Sequence, residues 1–251
     1  MSVQPPKTGR RTTPGAAYSL IEMLVVIAVI AILASMIFPV SNAVTRNRMR
    51  TKTMAELQEV QTAIEAYKAK TGHYPPDNAN NHLVNQLYYE LVGATYAPKP
   101  GGFDTTMFAT TDGGTLATNK FITAMASQNS WGVTSTNPPG GLVNFVPAVD
   151  KEEGTTAYNF IKGFGPVEFQ TDPTTGLKFL VASTPWPAQL AAGFPPFSGF
   201  VNGYCAWRYS STSPVNNTGS FDLWVDVLIG GKTNRICNWS RDPFYVSTPD
   251  E

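Results

Sequence analysis

Hydrophobic and polar positions divide this chain into four stretches: a polar start, a uniformly apolar run, a striped segment and a long mixed remainder that ends in clean alternation. From Tyr18 to Val40 the sequence YSLIEMLVVIAVIAILASMIFPV is apolar except for one carboxylate, Glu22, near its start. No charged residue falls between Glu22 and Arg46. A helix rises about 1.5 Å per residue, so such a run predicts a segment able to cross the roughly 30 Å hydrocarbon core of a bilayer. Beyond it, Met54, Leu57, Val60, Ile64 and Tyr67 recur every three or four positions, the stripe of an amphipathic helix. Glu56, Glu59, Glu65 and Lys68 are expected on its other faces. Lys68 and Lys70 suit the negative end of a helix, Gly72 suits the residue after it, and Pro75-Pro76 forbid continuation. The pattern predicts one helix from about Ser19 to Thr71, roughly 80 Å long.

The remainder predicts strands at its end. SFDLWVDVLI alternates, with Phe221, Leu223, Val225, Val227 and Ile229 on one face and Asp222 and Asp226 on the other. Gly230-Gly231 reads as a two-residue hairpin turn, with KTNRICNW returning and GYCAWRYSS as a third strand. The expectation is a three-stranded antiparallel meander with one face on the helix and Asp226 exposed. NHLVNQLYYELVG predicts a short helix over Asn81–Val92 that buries Leu83, Leu87 and Leu91. NKFITAMAS predicts another helix, LVNFVPAV and LKFLVAS predict short strands, and AYNFIKGF a helical turn. The rest of 77–150 reads as an irregular, loop-rich excursion packed against the helix.

Composition narrows the function. The 251 residues carry 18 basic and 18 acidic side chains, so no whole-chain charge attracts nucleic acid or acidic surfaces. Five Trp, ten Tyr and fourteen Phe imply a packed core despite the many Gly and Pro. The only histidines, His73 and His82, lie outside any HExxH, and no GxSxG or phosphate-binding glycine loop appears. No catalytic residue, metal site or cofactor is expected, and the chain does not read as an enzyme. Tyr204, Trp207, Tyr209 and Trp224 could form a sugar-stacking platform, although core packing is the commoner use of such rings. If the hairpin pairs Ile229 with Lys232, Cys237 lies opposite Trp224, with Cys205 beyond the other side of that strand near Val225. Outer strands of such a meander stand about 9.6 Å apart, too far for a disulfide.

The first 17 residues, MSVQPPKTGRRTTPGAA, are polar, basic and free of acids, like the leading region of a targeting signal. Three readings are open: a secretory signal cut near Ala34, an uncleaved single-span anchor, or a processed leader. The motif GAA-YSLIEMLVVIAVIAILA resembles the signature of type IV pilins and type II secretion pseudopilins. There a small residue precedes the cut, an aromatic follows it, and a Glu stands fifth in the mature chain before a long apolar helix. The resemblance implies cleavage between Ala17 and Tyr18, N-methylation of Tyr18, and an assembly role for Glu22. Pro39, 22nd in the mature chain, matches a kinking proline of pilin stems. AIEAYKAKTGHYPPD extends the resemblance to about residue 77, and FDLW…GG…I.NW resembles the end of the major type II secretion pseudopilin.

These matches imply a pilin-like α+β fold: leader 1–17, transmembrane and amphipathic stem 18–71, and an α+β head 72–251 in the periplasm or outside the cell. They imply a single pass through the inner membrane, which also fixes the orientation that the balanced flanking bases leave open. The implied function is a structural subunit of a pseudopilus or pilus-like filament involved in protein secretion. Its partners would be like subunits through their stems, a prepilin peptidase and methyltransferase, and an assembly platform, with no nucleic acid. A carboxylate on an apolar helix needs a partner, and in a filament the implied partner of Glu22 is the freed amine of a neighbour. Arg46, Arg48, Arg50 and Lys52 read as a solvated helix face. The calcium loop of major pseudopilins is not carried over, because Gly230-Gly231-Lys232-Thr233 is short and basic. The rival reading is a membrane-anchored binding module, for glycan or DNA, on a pilin-like stem.

Overall fold

The computed structural model describes residues 19–78, 82, 85–128, 141–146, 157–173, 176–185, 200–201 and 203–246; the side chains of 36–42, 124–128, 185 and 200–201 are outside that description. The chain divides into two compact units, Met1–Thr45 and Arg46–Glu251. Helix α1, Leu20–Thr71, begins in the first and ends in the second. Its end lies where the sequence places it: Gly72 adopts φ 86° and its N–H bonds the Lys68 carbonyl at 2.8 Å.

Among the described residues, no helix is both long enough and apolar enough to cross a membrane. This overturns the expected transmembrane stem and the single-pass inner-membrane localisation. From Arg46 onward the helix carries charge.

The second unit holds two further helices, α2 (Leu87–Val92) and α3 (Thr118–Gln128). Its strands are β1 (Ala94–Lys99), β2 (Gly102–Thr110), β3 (Thr115–Ala117), β4 (Phe145–Val146), β5 (Phe169–Thr171), β6 (Lys178–Pro185), β7 (Phe200–Val201), β8 (Tyr204–Ala206), β9 (Arg208–Ser210), β10 (Asp222–Ile229), β11 (Lys232–Cys237) and β12 (Phe244–Tyr245). They form three four-stranded sheets, ordered β3-β2-β1-β4, β5-β6-β8-β7 and β12-β11-β10-β9. A single three-stranded meander with an irregular insertion is therefore incorrect. The supposed excursion contains the β1–β2 hairpin, β3 and a parallel β1–β4 pair.

The C-terminal hairpin keeps its expected register, with Ile229 opposite Lys232 and Trp224 opposite Cys237. What differs is its borders. GYCAWRYSS does not form one strand. It breaks at buried Trp207, whose N–H bonds the Leu180 carbonyl at 2.9 Å, so β8 joins β6 while β9 joins β10. Cys205 accordingly pairs with Phe200 in the sheet of β5, β6, β8 and β7, not in the ladder of β10. Both cysteines are free and buried. β12 covers the outer edge of β11. Of the expected helix over 81–92, only Leu87–Val92 is helical among the described residues, and Leu83 lies outside them. AYNFIKGF makes turns without a helix.

One core serves the unit. Leu57, Val60, Ala63, Ile64 and Tyr67 of α1 are buried with Leu87 and Leu91 of α2, Phe108, Phe121, Leu180 and the inward face of β10. The buried stripe of α1 is rotated slightly from the one read off the sequence: Thr53 and Glu56 are buried, whereas Met54 is 36% exposed. Replacing Ile64, with no exposure, by Ala is expected to destabilise the protein by about 2–5 kcal/mol, because it leaves a cavity. Met54→Ala should cost clearly less. Denaturant unfolding of both variants checks the rotation.

Candidate assembly helix and the buried anchors of the head

The first part of α1 is unusual for what it leaves uncovered. Eleven large apolar side chains from Leu20 to Leu33 are each 48% to 83% exposed. Successive residues of a helix point about 100° apart, so consecutive Leu24, Val25, Val26 and Ile27 place apolar surface on every side. Glu22 stands in the first turn, where helix geometry favours a carboxylate, and its Oε2 accepts the Ser19 N–H at 3.4 Å. This contact is local and exposed. Ala17 and Tyr18, the expected cleavage and methylation positions, lie outside the described residues, as does the side chain of Pro39.

In the second unit the conspicuous groups are buried carboxylates that sequence patterning did not single out. Glu90 of α2 has no exposure. It accepts from Tyr67 Oη at 2.9 Å, Gln86 Nε2 at 3.2 Å, Val143 N at 2.8 Å and Asn144 N at 3.0 Å. One side chain thus ties α1, α2 and the approach to β4. Glu56, expected on a polar face, points inward and accepts from Ser183 N at 3.1 Å and from Ser183 Oγ. Beside it, Thr53 Oγ1 and Thr184 Oγ1 share a hydrogen bond at 2.8 Å. Asp77 gathers Ser211 N, Thr212 N and Thr212 Oγ1, and Asp222 gathers the amides of Val215, Asn216 and Asn217 at 2.8 Å each. Local spacing gave one usable hint: a lone Glu inside the apolar run LYYELV has nowhere to go but inward.

Asp226 is a correction. Expected to be exposed on the outer face of β10, it is 1% exposed. Arg235 holds it in a two-point grip, Nε to Oδ1 at 2.8 Å and Nη2 to Oδ2 at 3.0 Å, while Arg208 Nη1 reaches Oδ2 at 2.6 Å. The strand alternation is real, but both faces of β10 are covered, one by apolar and one by polar groups. Trp207 and Tyr209 belong to the core and cannot offer a sugar platform.

The basic run after the apolar stretch is likewise split. Arg46 packs its guanidinium against Gly230, where an added Cβ would stand 2.5 Å from Nε. Arg50 donates to Asn234 Oδ1 at 3.0 Å and Tyr245 Oη at 3.3 Å. Both thus lie on the side of the β10–β11 turn, not on one solvated face.

Among the described residues, no group of three His, Cys, Asp or Glu is placed to hold a metal ion. Two open grooves flank α1: one of about 410 Å³ between Met54–Gln61 and the 236–243 segment, and one of about 560 Å³ beside Phe160 and Phe164. Neither gathers a nucleophile with a base. Comparison with known proteins gives no match to this chain, among family models, curated proteins or solved structures.

Burial pushes the carboxyls of Glu90 and Glu56 above the usual carboxylate range, outweighing the donors that favour the anion. A raised native pKa means that the fold binds the proton more tightly than the unfolded chain does. The contribution is therefore fully present below about pH 4.5, the ordinary value, and is lost as pH rises through the raised one. The stability of the wild-type chain between pH 4.5 and neutrality should fall more steeply than that of Glu90→Gln, as measured by denaturant midpoints. Asp226→Ala strands two buried guanidinium groups and is expected to cost about 3–5 kcal/mol in the same measurement.

Proposed function

We propose that this protein is a structural subunit of a filament of the type II secretion pseudopilus or type IV pilus kind, built by packing residues 20–33 of α1 against the same segment of like copies. The observation that carries the reading is the apolar surface on all sides of that segment, with one carboxylate at its start. Burying each half-exposed aliphatic side chain is worth on the order of 1 kcal/mol, so eleven supply roughly 10 kcal/mol before the cost of association. A monomer gains none of this.

Hydrophobic packing alone is tolerant of sliding, and Glu22 supplies register. Its present partner, the Ser19 amide, is exposed to solvent. Once neighbouring helices exclude water, an unpaired carboxylate becomes costly. Processing between Ala17 and Tyr18 frees an amine close to Glu22 in sequence, and the amine of an adjoining copy satisfies the carboxylate at one axial offset only. A head-to-tail contact of this kind does not close on itself and propagates as a helical filament. The peptidase and assembly machinery that act on such a subunit complete the reading.

The test is Glu22→Ala and Glu22→Gln in the full chain, read by electron microscopy of filaments and by the unfolding midpoint of the head. Loss of filaments with an unchanged midpoint is expected for both variants. Wild-type yields of filament would refute the role of Glu22. An extracted chain that still begins at Met1 would refute the processing step.

A further inference from the structure

The polar face of the C-terminal sheet carries an imbalance that neither its own ion pairs nor filament assembly explains. Strands β9 and β10 pair Asp222 with Ser210 and Trp224 with Arg208. Alternate residues of a strand share a face, so Ser210, Arg208, Asp222, Trp224 and Asp226 all lie together. Both carboxylates of this face are committed, Asp222 to the amides of Val215, Asn216 and Asn217 and Asp226 to two arginines. The groups left over are donors. Arg208 Nε, Trp224 Nε1 and Ser210 Oγ are buried without a hydrogen-bond partner, on side chains that are 3%, 8% and 3% exposed. At the rim, His82 Nδ1 is also buried and unpartnered, its ring 5.5 Å from that of Trp224.

Indole and guanidinium nitrogens donate and cannot accept, so only an acceptor completes this set. The formal charge of the face is balanced, Arg208 and Arg235 against Asp222 and Asp226, so the unmet donors and not a net charge call for the acceptor. Arg208 reaches Asp226 through one nitrogen, whereas Arg235 grips the same carboxylate through two. An unsatisfied buried donor costs on its own, and three on adjacent cross-strand positions cost together. We propose that this face holds one small inorganic anion, bound by Arg208 Nε, Trp224 Nε1 and Ser210 Oγ, with His82 closing its edge. The anion joins β9 and β10 to His82, and so acts as a fastening of the head rather than as a substrate. The inference is independent of filament assembly.

The test is the thermal midpoint of the full chain in detergent solution, titrated with sodium chloride or sodium sulfate against sodium gluconate at constant ionic strength. A saturable rise with one of the small anions is expected, and the salt that acts at lower concentration identifies a halide or an oxyanion. Arg208→Gln also removes one of the two arginines that hold Asp226, so it does not separate the anion from that ion pair. Trp224→Phe and Ser210→Ala each delete one donor while leaving the ion pairs, and each should raise the half-saturating anion concentration about tenfold. A midpoint that responds identically to all three salts, or a saturable response unchanged in both variants, would overturn the proposal and leave the donors to water.

Discussion

Carboxylates without solvent organise the second unit. The chain is poor in charge, yet it spends several of its acids indoors, and each must be met by donors. Glu90 is met by a hydroxyl from α1, the amide side chain of Gln86 just before α2 and two backbone amides ahead of β4. Glu56 reaches from α1 to β6, and Asp226 collects arginines from the strands on both sides of β10. Donors so far apart in sequence can converge in very few arrangements. Hydrophobic burial drives the collapse of these elements, but it is nearly indifferent to small rotations of α1. The buried acids are not, since a slip leaves a charge stranded in a dry interior. They fix which way α1 is rolled and which sheet each short strand joins.

The same logic in reverse describes the first unit. There a helix is apolar on every side and exposed, with a single acid held only by a neighbouring amide. Nothing within the described chain covers this surface or fixes its register. The two units thus pose complementary problems: one has met its buried carboxylates internally, and the other has apolar area and one carboxylate still to satisfy. The proposed filament assembly would answer both needs with one interaction, which is why the proposal rests on the helix rather than on the grooves of the head.

The polar face of β10 shows how far a strand pattern can mislead. Alternation of apolar and polar residues ordinarily marks a sheet with one wet side. Here the second side is closed as well, and its polarity is used internally by ion pairs and by donors that still require an acceptor.

Local physics was legible from the sequence alone. Glycine and proline after Thr71 end α1, the apolar period of three to four marks its buried side, and Gly230-Gly231 sets the register of β10 on β11. These features depend on residues within a turn or a hairpin of one another. The tertiary structure alone decided that Asp226 and Glu56 point inward, that GYCAWRYSS divides between two sheets, and that residues 94–117 form strands. Each depends on partners far along the chain: Arg208 for Asp226, Ser183 for Glu56, the Leu180 carbonyl for Trp207. With Pro98 inside β1, a register shift between Tyr96 and Ala97, and only three residues in β3, these strands carry too little periodicity to announce themselves, and they form because pairing between strands satisfies their backbone.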